Sequence, residues 1–204
     1  MPKQRSGGGP ESPRVSTIRT FIAASLPAHI VEHVETVQAS LRSAGVRAKW
    51  VRASNMHLTL KFLGNIDENE VAAAGRAMGE CIGGRGPMTL RAKGVGLFPG
   101  LRRPRVIWVG LSGETEALAD YQKALEDALE SFGFPKENRP FSAHLTVARI
   151  RERIDLKKLS DMVERLEKLA SEPFEVDRIT LFKSDLRPEG PLYTSLFSHI
   201  LQGP

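Results

Sequence analysis

One cysteine, Cys81, stands in a chain of 204 residues, and a lone thiol excludes an internal disulfide framework. Its Ala-rich helical surroundings suit a buried core thiol better than a nucleophile. Long apolar runs are missing as well. None approaches the roughly 18 residues that a bilayer-crossing helix needs, and the N-terminus has no secretory hydrophobic segment. These absences imply a cytoplasmic protein. Acidic residues are missing from one stretch: between Cys81 and Gly113 there are six basic residues (Arg85, Arg91, Lys93, Arg102, Arg103 and Arg105) and no Asp or Glu. Such a stretch either meets a polyanion or merely solvates strand edges and a loop.

What is present is ordinary for a water-soluble globule. Apolar residues make up 41% and charged residues 26%, enough for one large domain or two similar lobes sharing a core. Most of the formal net charge of +5 sits near the N-terminus, where Lys3, Arg5, Arg14 and Arg19 face only Glu11. Residues 1–17 are rich in Gly, Pro, Ser and charge and show no apolar period, so they read as a disordered tail ahead of a single bilobal domain over 18–204.

The apolar pattern then alternates between strand and helix. A strand from Phe21 to Leu26 ends at Pro27, and Ile30, Val34, Val37 and Leu41 mark one helical face up to Gly45. A strand from His57 stops at Gly64-Asn65, and a helix follows over about Glu68 to Cys81. Met88–Phe98 and Arg105–Leu111 read as hairpin partners, followed by a helix with Leu118, Tyr121, Leu125 and Leu129 at helical spacing. After a strand at His144 come a helix from about Leu156 to Leu169 and two last strands, Phe174–Ser184 and Leu192–Leu201.

The informative feature is a repeat. His57-Leu58-Thr59-Leu60 recurs as His144-Leu145-Thr146-Val147. In a strand alternate side chains share a face, so each copy turns an imidazole and a hydroxyl one way and two aliphatics the other. One such string is uncommon by chance at average residue usage, and two are far rarer. Each copy is preceded and followed by a helix. The pattern predicts an α+β fold of two pseudo-symmetric lobes, with mainly antiparallel sheets facing a central cleft, helices outside, and one histidine from each lobe. Two histidines in one cleft can share general-acid and general-base work at neutral pH.

Other strings are weaker. His29-Ile30-Val31-Glu32-His33 fits an inverted zinc-protease pattern, but it opens a helix beside the apolar stripe and no third ligand is identifiable. Gly94-Val95-Gly96-Leu97-Phe98-Pro99-Gly100 has the wrong glycine spacing for a dinucleotide fingerprint and reads as strand and turn. His199, in the last strand, reads as structural or exposed.

The paired strands, within Trp50-Val51-Arg52 to Gly64 and within Phe141-Ser142-Ala143 to Arg149, resemble the two-histidine phosphoesterase superfamily, and within it the RNA 2′,3′-cyclic phosphodiesterase branch once called 2′-5′ RNA ligase. The resemblance runs from Arg19-Thr20-Phe21 through Ile107-Trp108-Val109-Gly110 to Gly190-Pro191-Leu192-Tyr193. It implies a metal-free and cofactor-free enzyme that opens a 2′,3′-cyclic phosphate to a 2′-phosphomonoester. By this analogy His57 is the proton donor, His144 the proton acceptor, and Thr59 and Thr146 bind the non-bridging oxygens. Sequence alone leaves the order of the two histidines open, because the copies are chemically near equivalent. Lys61 should share the face of His57 and Thr59 by alternation and could bind the phosphate. Arg149 matches the family pattern but falls on the opposite face by strict alternation, so a bend or a role outside the cleft is needed. The partners implied are RNA termini or small cyclic nucleotides, with no membrane and a monomeric state. Two other readings are 2′-5′ ligation through the same site and a nucleotide- or RNA-binding module without turnover.

Overall fold

The computed structural model describes residues 16–203. Most of the expected tail, residues 1–15, lies outside the described residues. Ser16 and Thr17 lie among the described residues: Thr17 pairs with Asp67, and the Ser16 hydroxyl donates to Glu68 at 3.0 Å.

In chain order the elements are β1 (Thr17–Ser25), α1 (Ala28–Ser43), β2 (Lys49–Trp50), β3 (His57–Asp67), α2 (Val71–Ile82), β4 (Met88–Phe98), β5 (Val106–Gly113), α3 (Thr115–Ser131), β6 (His144–Arg149), α4 (Leu156–Leu166), β7 (Phe174–Val176), β8 (Arg178–Arg187) and β9 (Gly190–Ile200). The strands form one curled antiparallel sheet in the order β7-β4-β5-β6-β3-β1-β8-β9, with β2 paired to β6. Its two halves are related by a pseudo-two-fold between β6 and β3. They meet at a single pairing among the described residues, Leu58 with Leu145. The two expected half-sheets are therefore joined edge to edge, and the joint lies between the histidine strands.

The aliphatic side of the sheet is covered by helices whose apolar positions recur at helical spacing. Ile30, Val34, Val37 and Leu41 of α1 are buried, as are Leu118, Tyr121, Leu125 and Leu129 of α3. The packing is crossed between halves: α1 lies against β6, and α3 against β3. Each histidine strand is thus supported by the other half's helix.

Two strand boundaries differ from the sequence reading. The first histidine strand continues past Gly64 to Asp67, because Gly64, at φ 77°, is absorbed in a bulge: Thr20 pairs with Gly64 and Phe21 with Phe62, leaving Leu63 unpaired. The expected strand Phe174–Ser184 divides at Asp177. Phe174 and Val176 point inward and pair with β4, whereas beyond Asp177 the inward positions change phase to Ile179 and Leu181 and the chain joins β1. The carbonyl of Asp177 accepts from the backbone N–H of Leu201 at 2.7 Å, tying this crossover to the end of β9.

Candidate active site

The Leu58–Leu145 pairing fixes how the two motifs meet. On that antiparallel register His57 lies across from Thr146 and Thr59 across from His144, with Leu58 and Leu145 fully buried on the other face. The two imidazoles and two hydroxyls form a four-cornered group on the cleft side. All four are half-buried.

Both rings are oriented in the same way. The Nδ1–H of His57 donates to the carbonyl of Asn55 at 2.8 Å, and the Nδ1–H of His144 donates to the carbonyl of Ser142 at 2.7 Å. A carbonyl only accepts, so each ring carries its proton on Nδ1 when neutral and leaves Nε2 free for chemistry. Aromatic rings wall both sides. Phe21 and Tyr193 lie 4.7 and 5.4 Å from His57, and Phe98 and Trp108 lie 5.0 and 6.4 Å from His144, centroid to centroid. Gly96 makes room for the indole, since a Cβ there would lie 2.1 Å from a ring carbon of Trp108. Asn55 also donates from Nδ2 to the carbonyl of Pro191 at 3.1 Å, holding the β8–β9 hairpin and Tyr193 over the first histidine.

Burial pushes the pKa of His57 down from 6.5 to about 4. The bond to Asn55 works against this shift, and the positive charges of His144 and Arg149 add to it. In the unliganded cleft at pH 7, His57 is neutral.

Two β-bulges decide which neighbouring side chains reach the cleft. In β3, Ile22 pairs with Lys61 and Ala23 with Thr59, so Leu60 is unpaired; in β6, Ile107 pairs with Ala148 and Trp108 with Thr146, so Val147 is unpaired. Each extra residue reverses the alternation beyond it. Lys61, expected on the cleft face, is thereby turned to the core. It is 2% exposed, forms an ion pair with Glu126 of α3 and donates to the carbonyl of Pro135 at 2.7 Å. Arg149 is turned the other way, exposed and close enough to bear on both His57 and Tyr193. Of the two outcomes open for Arg149, a bend is the one found, and it is the bulge at Val147. Phe62 takes the corresponding place after the first motif and is 49% exposed.

The sequence reading missed the residues that hold these bulges. Gln38 of α1 donates from Nε2 to the bulged carbonyl of Val147 at 3.0 Å and to that of Val51 at 2.8 Å, while Gln122 of α3 donates to the bulged carbonyl of Leu60 at 3.4 Å. The signal was available: each glutamine sits one helical turn after an apolar residue, Val34 or Leu118, on a face that is otherwise apolar. Replacing Gln38 by leucine leaves polar groups at the bulge without their side-chain partner, and about 1–3 kcal/mol of stability should be lost, read as a lower midpoint in urea unfolding.

The remaining histidines lie elsewhere. The Nε2–H of His29 donates to the carbonyl of Pro173 at 3.3 Å, and His33 is half-buried with its pKa lowered by burial. His199 donates to the carbonyl of Gly75 at 3.0 Å, linking β9 to α2.

The family model described as LigT like Phosphoesterase matches this chain twice in tandem, over residues 25–108 and 109–193. The chain belongs to the LigT-like phosphoesterase family. Each match contains one His-x-Thr strand, in agreement with the pseudo-two-fold of the sheet. This LigT-like phosphoesterase is 31% identical over 179 residues to a protein of Methanothermobacter thermautotrophicus named RNA 2′,3′-cyclic phosphodiesterase, covering 88% of this chain and 96% of that one. It is 30% identical over 190 residues to a protein of the same name from Aquifex aeolicus, covering 93% and 100%. Among solved structures, that of E. coli LigT complexed with NADP+ superposes with a TM-score of 0.68 at 26% identity, covering 91% of this phosphoesterase and 99% of that chain.

Proposed function

We propose that this phosphoesterase hydrolyses 2′,3′-cyclic phosphates, at RNA ends or on nucleosides, to 2′-phosphomonoesters, with His57 and His144 sharing the proton transfers. The observation that carries this reading is the register that sets two His-x-Thr pairs against each other with both Nε2 atoms free. One neutral imidazole takes a proton from water as the water oxygen bonds to phosphorus. The P–O3′ bond breaks, and the other histidine, protonated, gives its proton to O3′. Thr59 and Thr146 donate to the non-bridging oxygens as their charge grows, and Arg149 adds a cation beside them. Solvent exchange returns both histidines to their starting states. The relatives that bear the phosphodiesterase name support the substrate class.

Incubation of the protein with a chelator and an oligonucleotide ending in a 2′,3′-cyclic phosphate tests the reading. A 2′-phosphate product is expected. A 3′-phosphate product, or none, overturns it.

His57 is assigned the donor role and His144 the acceptor role. Because His57 is neutral in the free cleft, its proton must arrive with the substrate. Two of the causes that depress it are the positive charges of His144 and Arg149, and a phosphodiester anion between them opposes both. In NMR titration the His57 ring should therefore titrate near pH 4 in the free protein. With a nucleoside 2′-phosphate bound, its midpoint should rise by about one unit or more. An unmoved midpoint would make His57 the acceptor and His144 the donor. A cytoplasmic monomer acting on RNA ends fits the buried free thiol of Cys81. Among the described residues no helix is long and apolar enough to cross a membrane.

A further inference from the structure

Lys93, exposed on β4, aside, the basic residues between Cys81 and Gly113 separate into two groups in the fold. Arg85 and Arg91 are turned to the protein's own backbone, donating to the carbonyls of Cys81 at 2.9 Å and Ser171 at 3.2 Å. Arg102, Arg103 and Arg105 instead stand on the β4–β5 loop, and there they meet Arg151 and Arg153 from the β6–α4 connection in a single groove. The two segments are stitched together: the N–H of Ile150 donates to the carbonyl of Arg105 at 2.8 Å, and the N–H of Arg105 donates to that of Phe98 at 2.7 Å. All five guanidinium-bearing residues are exposed, and among the described residues none is in an ion pair. Among the described residues Glu152 is the only acidic one lining the groove. Five like charges gathered from two loops repel one another and do nothing for the core, so their favourable use is an external polyanion.

Both arginine segments follow directly on strands that carry cleft residues, β4 and β6. Phe98, the last residue of β4 before the arginine loop, has its ring 5.0 Å from His144, and Arg149 is the last residue of β6 before the second arginine segment. At strand rise, the path from Thr146 to Ile150 is about 13 Å, the length of about 4 phosphates of a stacked strand. A 2′,3′-cyclic phosphate is necessarily the 3′ end of its strand, so the rest of an RNA leaves the cleft in the 5′ direction only.

We propose that Arg102, Arg103, Arg105, Arg151 and Arg153 form a track for the backbone phosphates of single-stranded RNA upstream of the reacting end. This rests on the phosphodiesterase reading for its orientation, but the binding itself can be measured without turnover. The track makes oligonucleotides better substrates than cyclic mononucleotides, and makes that preference dependent on salt.

The test uses the whole chain, a fluorescent single-stranded RNA of about 12 nucleotides with an unmodified 3′-hydroxyl, and anisotropy over a salt series. Replacing Arg102, Arg103, Arg151 and Arg153 together by glutamine should weaken binding at least tenfold and flatten the slope of log affinity against log salt by about 3. Turnover of a cyclic mononucleotide should stay within twofold of the parent. The corresponding four lysine replacements should restore most of the slope, which a folding defect would not. An unchanged slope in the glutamine variant overturns the track. So does loss of cyclic-mononucleotide turnover in both the glutamine and the lysine variants, which would place these arginines in the catalytic cleft or the fold. Arginine-dependent binding to phosphatidylserine vesicles without binding to RNA also overturns it. If the parent binds RNA with the expected slope yet opens no cyclic phosphate, the groove stands and the phosphodiesterase reading falls.

Discussion

Alanine at either His57 or His144 should lower kcat/KM for a 2′,3′-cyclic phosphate by about 10²–10⁴-fold each, with the fold intact. Each ring is half-buried and hydrogen-bonds a carbonyl of its own approach segment, and its aromatic neighbours, Phe21 with Tyr193 and Phe98 with Trp108, also pack on each other, so the wall persists without the imidazole. Because proton removal from water and proton delivery to O3′ accompany one displacement, neither histidine can cover for its partner. The double replacement should therefore fall far short of the product of the two single effects. Valine at Thr59 or Thr146 keeps the branched shape and removes one donor to the phosphoryl oxygens, so a loss of about 10²–10³-fold or less is expected. Steady-state rates on a cyclic mononucleotide, beside circular dichroism spectra, measure all of these. A histidine variant with near-parental kcat/KM would remove that residue from the proton transfers.

Replacing Lys61 should be a stability event. The ammonium and the Glu126 carboxylate form a buried ion pair, and Glu126 also accepts from Gln122 at 3.0 Å and from the backbone N–H of Glu137 at 3.2 Å. Lys61→Ala strands that carboxylate in the core, at a cost of about 3–5 kcal/mol. A loss of that size is a large fraction of a domain's stability, and urea unfolding should show the midpoint falling accordingly. Lys61→Met with Glu126→Leu removes both charges and should recover most of the loss. Activity of the folded fraction should persist. A Lys61→Ala protein that unfolds like its parent but has a raised KM would instead mean that the lysine reaches the substrate.

Lys61 and Arg149 also show where reading from sequence stops. Strict alternation sends Lys61 to the cleft and Arg149 away from it, and both assignments reverse because one extra residue, Leu60 or Val147, is inserted ahead of each. A bulge leaves little local trace. Here it depends on a glutamine from a distant helix, Gln38 for Val147 and Gln122 for Leu60. The strand divided at Asp177 is a similar case. Its apolar residues are those of one long strand, and only a phase change from Phe174 and Val176 to Ile179 and Leu181 records that the chain leaves one half of the sheet for the other. The helices were far more legible, since a buried face at helical spacing is a local property of the side chains.

By itself the sequence determined the two His-x-Thr strands, the helices around each, and the chemistry that two imidazoles and two hydroxyls can perform. Those properties follow from residue type and short-range spacing. Tertiary structure alone decided that the two strands touch at Leu58 and Leu145, that Arg149 joins the cleft while Lys61 is buried against Glu126, and that arginines from two separate segments line one groove. It also decided that His57 is neutral when the cleft is empty. Register, burial and the summed field of charges arise from groups distant in the chain, so they exist only once the two halves have come together.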